Sequence, residues 1–250
     1  MIDDTSNLLE VKGLSFGYGG LQILSGMSFD LKPGEKVGLI GPNGAGKTTL
    51  LNIISGLLHP LKGEVYISGH EISRLPPHKR VSLGLGRCFQ TNELFLELNL
   101  LENVLIALKG VEVSGFQMIR PLSSYKNRIR RARELLESIG LWGKRLLLPT
   151  QLSHGENRLM EILLATANEP KVLLMDEPSA GLTREETFEL ASSLTNMMRD
   201  RTVLFSAHDL DFVFQVAERV IVLYYGSVFQ QGTAREIAAN AKVKEIYLGV

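Results

Sequence analysis

Thiols, net charge and long apolar runs are all scarce in this 250-residue chain. The single cysteine, Cys88, cannot close an internal disulfide, which suits a reducing compartment. Lys+Arg and Asp+Glu each number 27, so the net charge is zero and no global field exists for gripping nucleic acid; none is expected as a partner. The longest apolar runs, VLLM at 172–175 and VIVLYY at 220–225, fall far short of the roughly 18 residues that a membrane-spanning helix needs. The opening MIDDTSNLLE is acidic and lacks an apolar stretch, so no signal peptide is expected. Internal repeats and low-complexity tracts are also missing. With 44% hydrophobic and 22% charged residues the composition excludes wholesale disorder, and the length suits one large domain or a domain with an insertion.

What is present is alternation. Short apolar runs rich in β-formers predict strands at 8–13, 27–32, 36–41, 64–68, 171–175, 202–206, 219–224 and 227–231. Helical patterns predict helices at 47–57, 99–109, 127–139, 155–167, 184–199 and 209–217, with one or two short ones in 233–248. From about 92 to 168 the pattern is helical with no convincing strand. The expectation is an α/β core, about 1–91 and 169–250, holding an inserted helical subdomain, about 92–168.

Three motifs carry chemistry. The stretch GPNGAGKTT runs through Gly41, Pro42, Asn43, Gly44, Ala45, Gly46, Lys47, Thr48 and Thr49, between the apolar strand VGLI and a helix. That is the setting of a phosphate-binding P-loop: glycines let consecutive amides face one phosphate, and the helix end adds positive dipole. Lys47 would reach the β- and γ-phosphates and Thr48 would ligate Mg²⁺. The second motif, KVLLMDEP, ends an apolar strand in Asp176 and Glu177. In an open parallel sheet, strand C-termini line the ligand crevice. Asp176 would hold Mg²⁺ through water, and Glu177 would orient or deprotonate the attacking water. The third, LSHGENRLMEI from Leu152, has two readings. Ser153 and Glu156 spell a capping box, and Ser153 with Gly155 at a helix N-terminus also makes an anion site.

The series of motifs resembles the ATP-binding subunit of an ABC transporter over nearly the whole chain. Tyr18 precedes the P-loop; Gln90, LSHGE at 152–156, Asp176–Glu177, SAGL at 179–182 and His208 follow in that order. The resemblance implies a P-loop NTPase fold, with a mostly parallel sheet between helices and an antiparallel N-terminal β region. It implies that Tyr18 stacks on adenine, that Gln90 sits near Mg²⁺ and the water, that Ser153 and Gly155 touch the γ-phosphate held by a partner subunit, and that His208 contacts the γ-phosphate on its own subunit. Without it, Tyr18 reads equally as a turn aromatic, Gln90 as a surface residue and His208 as structural. Three positions depart from the family pattern: His154 replaces a glycine, Glu156 a glutamine and Thr183 an aspartate. The Q-loop context GRCFQTNELFLELNLLENV and the ending VKEIYLG resemble the branched-chain amino-acid and urea importer type.

The cofactors implied are ATP and Mg²⁺. The partners implied are a second ATPase subunit, identical or related, multi-span permease subunits and a substrate-binding protein, with the chain on the inner face of the membrane. The expected activity is ATP hydrolysis coupled to import of amino acids, urea or similar small polar solutes. A soluble ABC-type remodelling ATPase and a P-loop small-molecule kinase are the rivals. Leu94, Phe95, Leu96 and Leu98 fit neither strand alternation nor one helical stripe, so some are expected to be exposed for a partner. The basic run in 126–133 reads as a solvated helix face or as a contact for phospholipid or nucleic acid.

Overall fold

Alternating apolar residues build a long N-terminal hairpin, β1 (Leu9–Tyr18) and β2 (Leu21–Leu31). Both strands run past the predicted 8–13 and 27–32. The alternation breaks where the register shifts near Gly13 and Gly26, which both take positive φ, and the amides there are satisfied by Ser28 and Ser15 hydroxyls at 2.9 Å. Bulges of this kind hide a strand from a period-two search. β1 also pairs with β4 (Lys62–Ile67), and β4 with the short β5 (His70–Glu71), giving an antiparallel sheet ordered β2-β1-β4-β5.

The computed structural model describes residues 7–89, 94–108 and 126–248. They fall into two compact units, Met1–Gln90 with Pro170–Val250, and Thr91–Glu169. In the first unit a second sheet has the order β10-β9-β3-β8-β7-β6. Its members are β3 (Lys36–Ile40), β6 (Leu85–Cys88), β7 (Val172–Asp176), β8 (Thr202–Ser206), β9 (Arg219–Tyr224) and β10 (Ser227–Thr233). All pairings are parallel except β9 with β10. Every residue of β3, β7 and β8 is buried, as continuous apolar runs in a parallel sheet require.

Helix α1 (Lys47–Ser55) follows β3 directly. Its C-terminal carbonyls are covered by α2 (Pro77–Ser82). The fully buried guanidinium of Arg80 donates to Ile53 O at 2.6 Å and Ile54 O at 2.8 Å, and also to Ser73 O and Leu75 O. Burial pushes the Arg80 pKa down to about 10. Neither α2 nor β6 was predicted from sequence. β6 has four residues, one of them glycine and one arginine, too few for any periodicity to register.

The second unit holds α3 (Leu100–Ala107), α4 (Lys126–Ser138), 3₁₀ turns at Trp142–Lys144 and Pro149–Gln151, and α5 (His154–Thr166). No strand occurs among its described residues. α6 (Arg184–Met197), α7 (Leu210–Val216), α8 (Ala234–Ala239) and α9 (Ala241–Leu248) complete the first unit, close to their predicted positions.

Candidate functional site

β3, β7 and β8 end side by side, and the residues that follow them converge. After Ile40 the chain turns through Gly41–Gly46 into α1. Gly44 and Gly46 adopt φ 80° and 99°, left-handed values that favour glycine. At Gly44 the need is conformational only, since a Cβ would meet nothing within 4 Å. At Gly46 space is short as well, because a Cβ would run into the Leu24 side chain.

Gly46 is the N-cap of α1, and it brings no side chain to the first-turn amides; no acid stands in that turn either. Lys47 lies 6% exposed and folds back over the loop, donating from Nζ to Gly41 O at 2.7 Å and Pro42 O at 3.3 Å. Burial lowers its pKa from the ordinary lysine value, and the charges of Glu177 and Asp176 oppose that shift. The ammonium is thus held on two loop carbonyls and feels the charge of two carboxylates.

Asp176 is buried at the end of β7. Its Oδ1 accepts from Ser206 Oγ at 2.6 Å and from Thr48 Oγ1 at 3.3 Å. Its Oδ2 lies 3.8 Å from an Arg87 terminal nitrogen. Glu177 follows with φ 46°, a conformation that strains a non-glycine residue by about 1–2 kcal/mol. The turn is held because the Glu177 amide donates to Ser206 O at 3.1 Å and to Ser206 Oγ at 3.0 Å. His208, just after β8, brings Nδ1 to 3.7 Å from Glu177 Oε2. Lys47, Thr48, Asp176, Glu177 and His208 are therefore gathered at one end of the sheet, and one of the left-handed non-glycine residues, with Ser68, Glu169 and Tyr225, is the glutamate expected to act on water.

Two members of this cluster had no sequence signal. Ser206 ties Asp176 to Glu177, but it is the last residue of an ordinary apolar strand. Arg87, on β6, donates to Leu51 O at 2.8 Å, to Asn52 Oδ1 at 2.6 Å and to Ser55 Oγ, so it joins α1 to the Asp176 carboxylate. A buried arginine facing a strand-end carboxylate is visible only once β6 and β7 are paired, Arg87 opposite Leu174.

Tyr18 ends β1, exposed, with its ring edge-on to Phe16 at 4.8 Å. Gln90 lies outside the described residues. Ser153 and Gly155 belong to the second unit. There Ser153 caps α5: its Oγ accepts from the Glu156 amide at 3.1 Å, and the Glu156 carboxylate accepts from the Ser153 amide at 3.2 Å. Thr183 does the same for α6 with Glu186. On α4, Arg131 pairs with Glu134 and Glu169, and Arg133 pairs with Glu137.

The family model described as ABC transporter matches residues 24–180. The branched-chain amino acid transport ATP-binding protein LivG of Escherichia coli K12 is 33% identical over 249 residues, covering 97% of this chain and 98% of that one. The lipopolysaccharide export system ATP-binding protein LptB of Acidithiobacillus ferridurans is also 33% identical, covering 98% of each. Among solved structures, the ADP conformation of MJ1267, an ATP-binding cassette of an ABC transporter, superposes with a TM-score of 0.84 at 28% identity, covering 98% of this chain and all of that one. A P-loop joined to a strand-end Asp–Glu pair, on a fold shared over its whole length with such cassettes, makes this chain a member of the ABC transporter ATP-binding family, an ATPase.

Proposed function

We propose that the chain energises a membrane transporter that imports amino acids, urea or similar small polar solutes, working as one of two ATPase subunits bound to multi-span permeases and supplied by a substrate-binding protein. No described helix is long and apolar enough to cross a membrane, so the solute path is assigned to other polypeptides, with this chain docked on their cytoplasmic side. The relative named for branched-chain amino acid transport and the texture of residues 86–104 support import; co-purification with a multi-span partner tests the assembly.

The observation that carries the reading is the convergence of Lys47, Thr48, Asp176 and Glu177. The N-terminal end of α1, which no side chain caps, and the Lys47 ammonium make a cradle for the β- and γ-phosphates of ATP. Thr48 Oγ1 and Asp176 Oδ1, two hard oxygens 3.3 Å apart, fit Mg²⁺, which takes one or two protein oxygens and keeps several waters. Bound there, Mg²⁺ would offset phosphate charge. Glu177, held in its strained turn by Ser206, takes the proton from the attacking water. His208 contacts the γ-phosphate, and Tyr18 offers its exposed ring to the adenine. Gln90 completes the water and Mg²⁺ environment, and Ser153 and Gly155 of a partner copy close over the γ-phosphate.

Phe95 and Leu96, 54% and 49% exposed beside the buried Leu94, are the proposed permease contact. The loop that carries them is fixed by the buried Asn103, whose amide donates to Phe95 O and Leu98 O and whose Oδ1 accepts from the Phe95 amide.

The test separates binding from hydrolysis. Glu177→Gln retains ATP binding and loses turnover by roughly a hundredfold or more, as for any general base. Lys47→Ala loses affinity itself. Wild-type turnover in Glu177→Gln contradicts the assignment of the base.

A further inference from the structure

The LSHGE turn carries an acid where phosphate is to be approached. We propose that Lys144 is the positioning counter-charge that makes this acid tolerable: by neutralising Glu156 it keeps the N-terminal end of α5 attractive to the γ-phosphate of a partner subunit's ATP. The proposal rests on the reading that Ser153 and Gly155 face that nucleotide.

Glu156 is not free to swing away. One carboxylate oxygen accepts from the Ser153 amide at 3.2 Å while the Glu156 amide donates to Ser153 Oγ at 3.1 Å, so withdrawing the side chain would break the glutamate's half of the capping box. The carboxylate is thereby fixed in the first turn of α5. A helix end contributes about half a positive charge, which does not offset a full negative one facing a polyanion. The other carboxylate oxygen, Oε1, accepts from Lys144 Nζ at 2.5 Å.

Lys144 is delivered by a braced backbone. It closes the 3₁₀ turn Trp142–Lys144; its amide donates to Leu141 O at 3.0 Å, and its carbonyl accepts from the Leu147 amide at 2.8 Å. Leu141 is buried, and the Arg145 and Arg133 guanidinium groups lie 4.7 and 5.3 Å from the centre of the Trp142 ring. Those two cations are engaged on the indole, whereas Lys144 reaches Glu156. As a stabilising pair it matters little, since the Lys144 side chain is 47% exposed and such pairs contribute at most about 1 kcal/mol. Its effect is on the charge that an arriving anion meets.

The experiment compares Lys144→Met, Glu156→Gln and the double variant in the full chain, reading KM for ATP and thermal stability, with Ser153→Asp as a control for the underlying reading. Lys144→Met should raise KM about three- to tenfold, the size expected for one unit of uncompensated charge at a partly solvated surface, with little change in melting temperature. With Glu156→Gln already present, adding Lys144→Met should change KM less than twofold, because no carboxylate remains to be neutralised. An equal effect of Lys144→Met in both backgrounds, or none in the wild type, overturns the proposal. If Ser153→Asp also leaves KM and turnover unchanged, the reading that places this turn on the nucleotide falls with it. If Ser153→Asp is damaging while Lys144→Met is silent, only the counter-charge role is lost.

Discussion

The N-terminal ends of α1 and α5 are built in opposite ways. α1 begins at a glycine, with no side chain on its first amides and no acid in its first turn. α5 begins at a serine whose hydroxyl is already used, with a glutamate in its first turn that reaches back and a lysine on that glutamate. α3, α6 and α8 follow the α5 pattern, with Asn99, Thr183 and Thr233 in closed capping boxes. Against those four capping boxes the end of α1 is bare, as is that of the short α2 at Pro76, and it is the bare end of α1 that stands beside Lys47, Thr48 and Asp176, with amides left for a ligand. The α5 end satisfies itself first, so any nucleotide contact there must come in addition to the cap.

The comparison breaks most visibly at Gly46. Gly46→Ala puts a methyl into Leu24 at a left-handed φ, so the loop must reshape. The expected result is loss of measurable ATP binding by calorimetry and a stability loss of about 2–4 kcal/mol. Next comes Ser153, where cap and nucleotide contact can be separated. Ser153→Asp keeps a capping oxygen, so stability should hold within about 0.5 kcal/mol, while turnover falls by roughly tenfold or more as an anion meets the γ-phosphate. Ser153→Ala should cost about 1 kcal/mol of stability as well as turnover. The smallest effect is expected at Thr233, a capping box without an assigned ligand. Thr233→Ala should cost about 1 kcal/mol, seen as a melting-temperature drop of about 2–4 °C, with ATP affinity unchanged. Loss of ATP affinity in that variant would mean that capping boxes act on the site through the fold.

How much was legible before the structure depends on whether a feature is local in the chain. The parallel core strands could be read because each is one unbroken apolar run, and the α5 cap because Ser153 and Glu156 sit at the required spacing. β6 could not, because four residues including Gly86 and Arg87 carry no period, and the bulged ends of β1 and β2 lost theirs at Gly13 and Gly26. In the site, Lys47, Thr48, Asp176 and Glu177 announced themselves through flanking strand and helix patterns. Arg87, Ser206 and Lys144 did not. Each acts on a residue from 12 to 89 positions away, a relation that exists only after strands pair or turns close.

The central claim is that one ATP site joins the open α1 end of one copy to the α5 end of another. Mixing a Lys47→Ala chain with a Ser153→Asp chain tests it directly. In such a dimer one composite site carries both defects and the other carries neither. The account predicts that the mixture hydrolyses ATP faster than either variant alone. No gain over the two separate variants, in a mixture shown by tagged co-purification to contain mixed dimers, would contradict it.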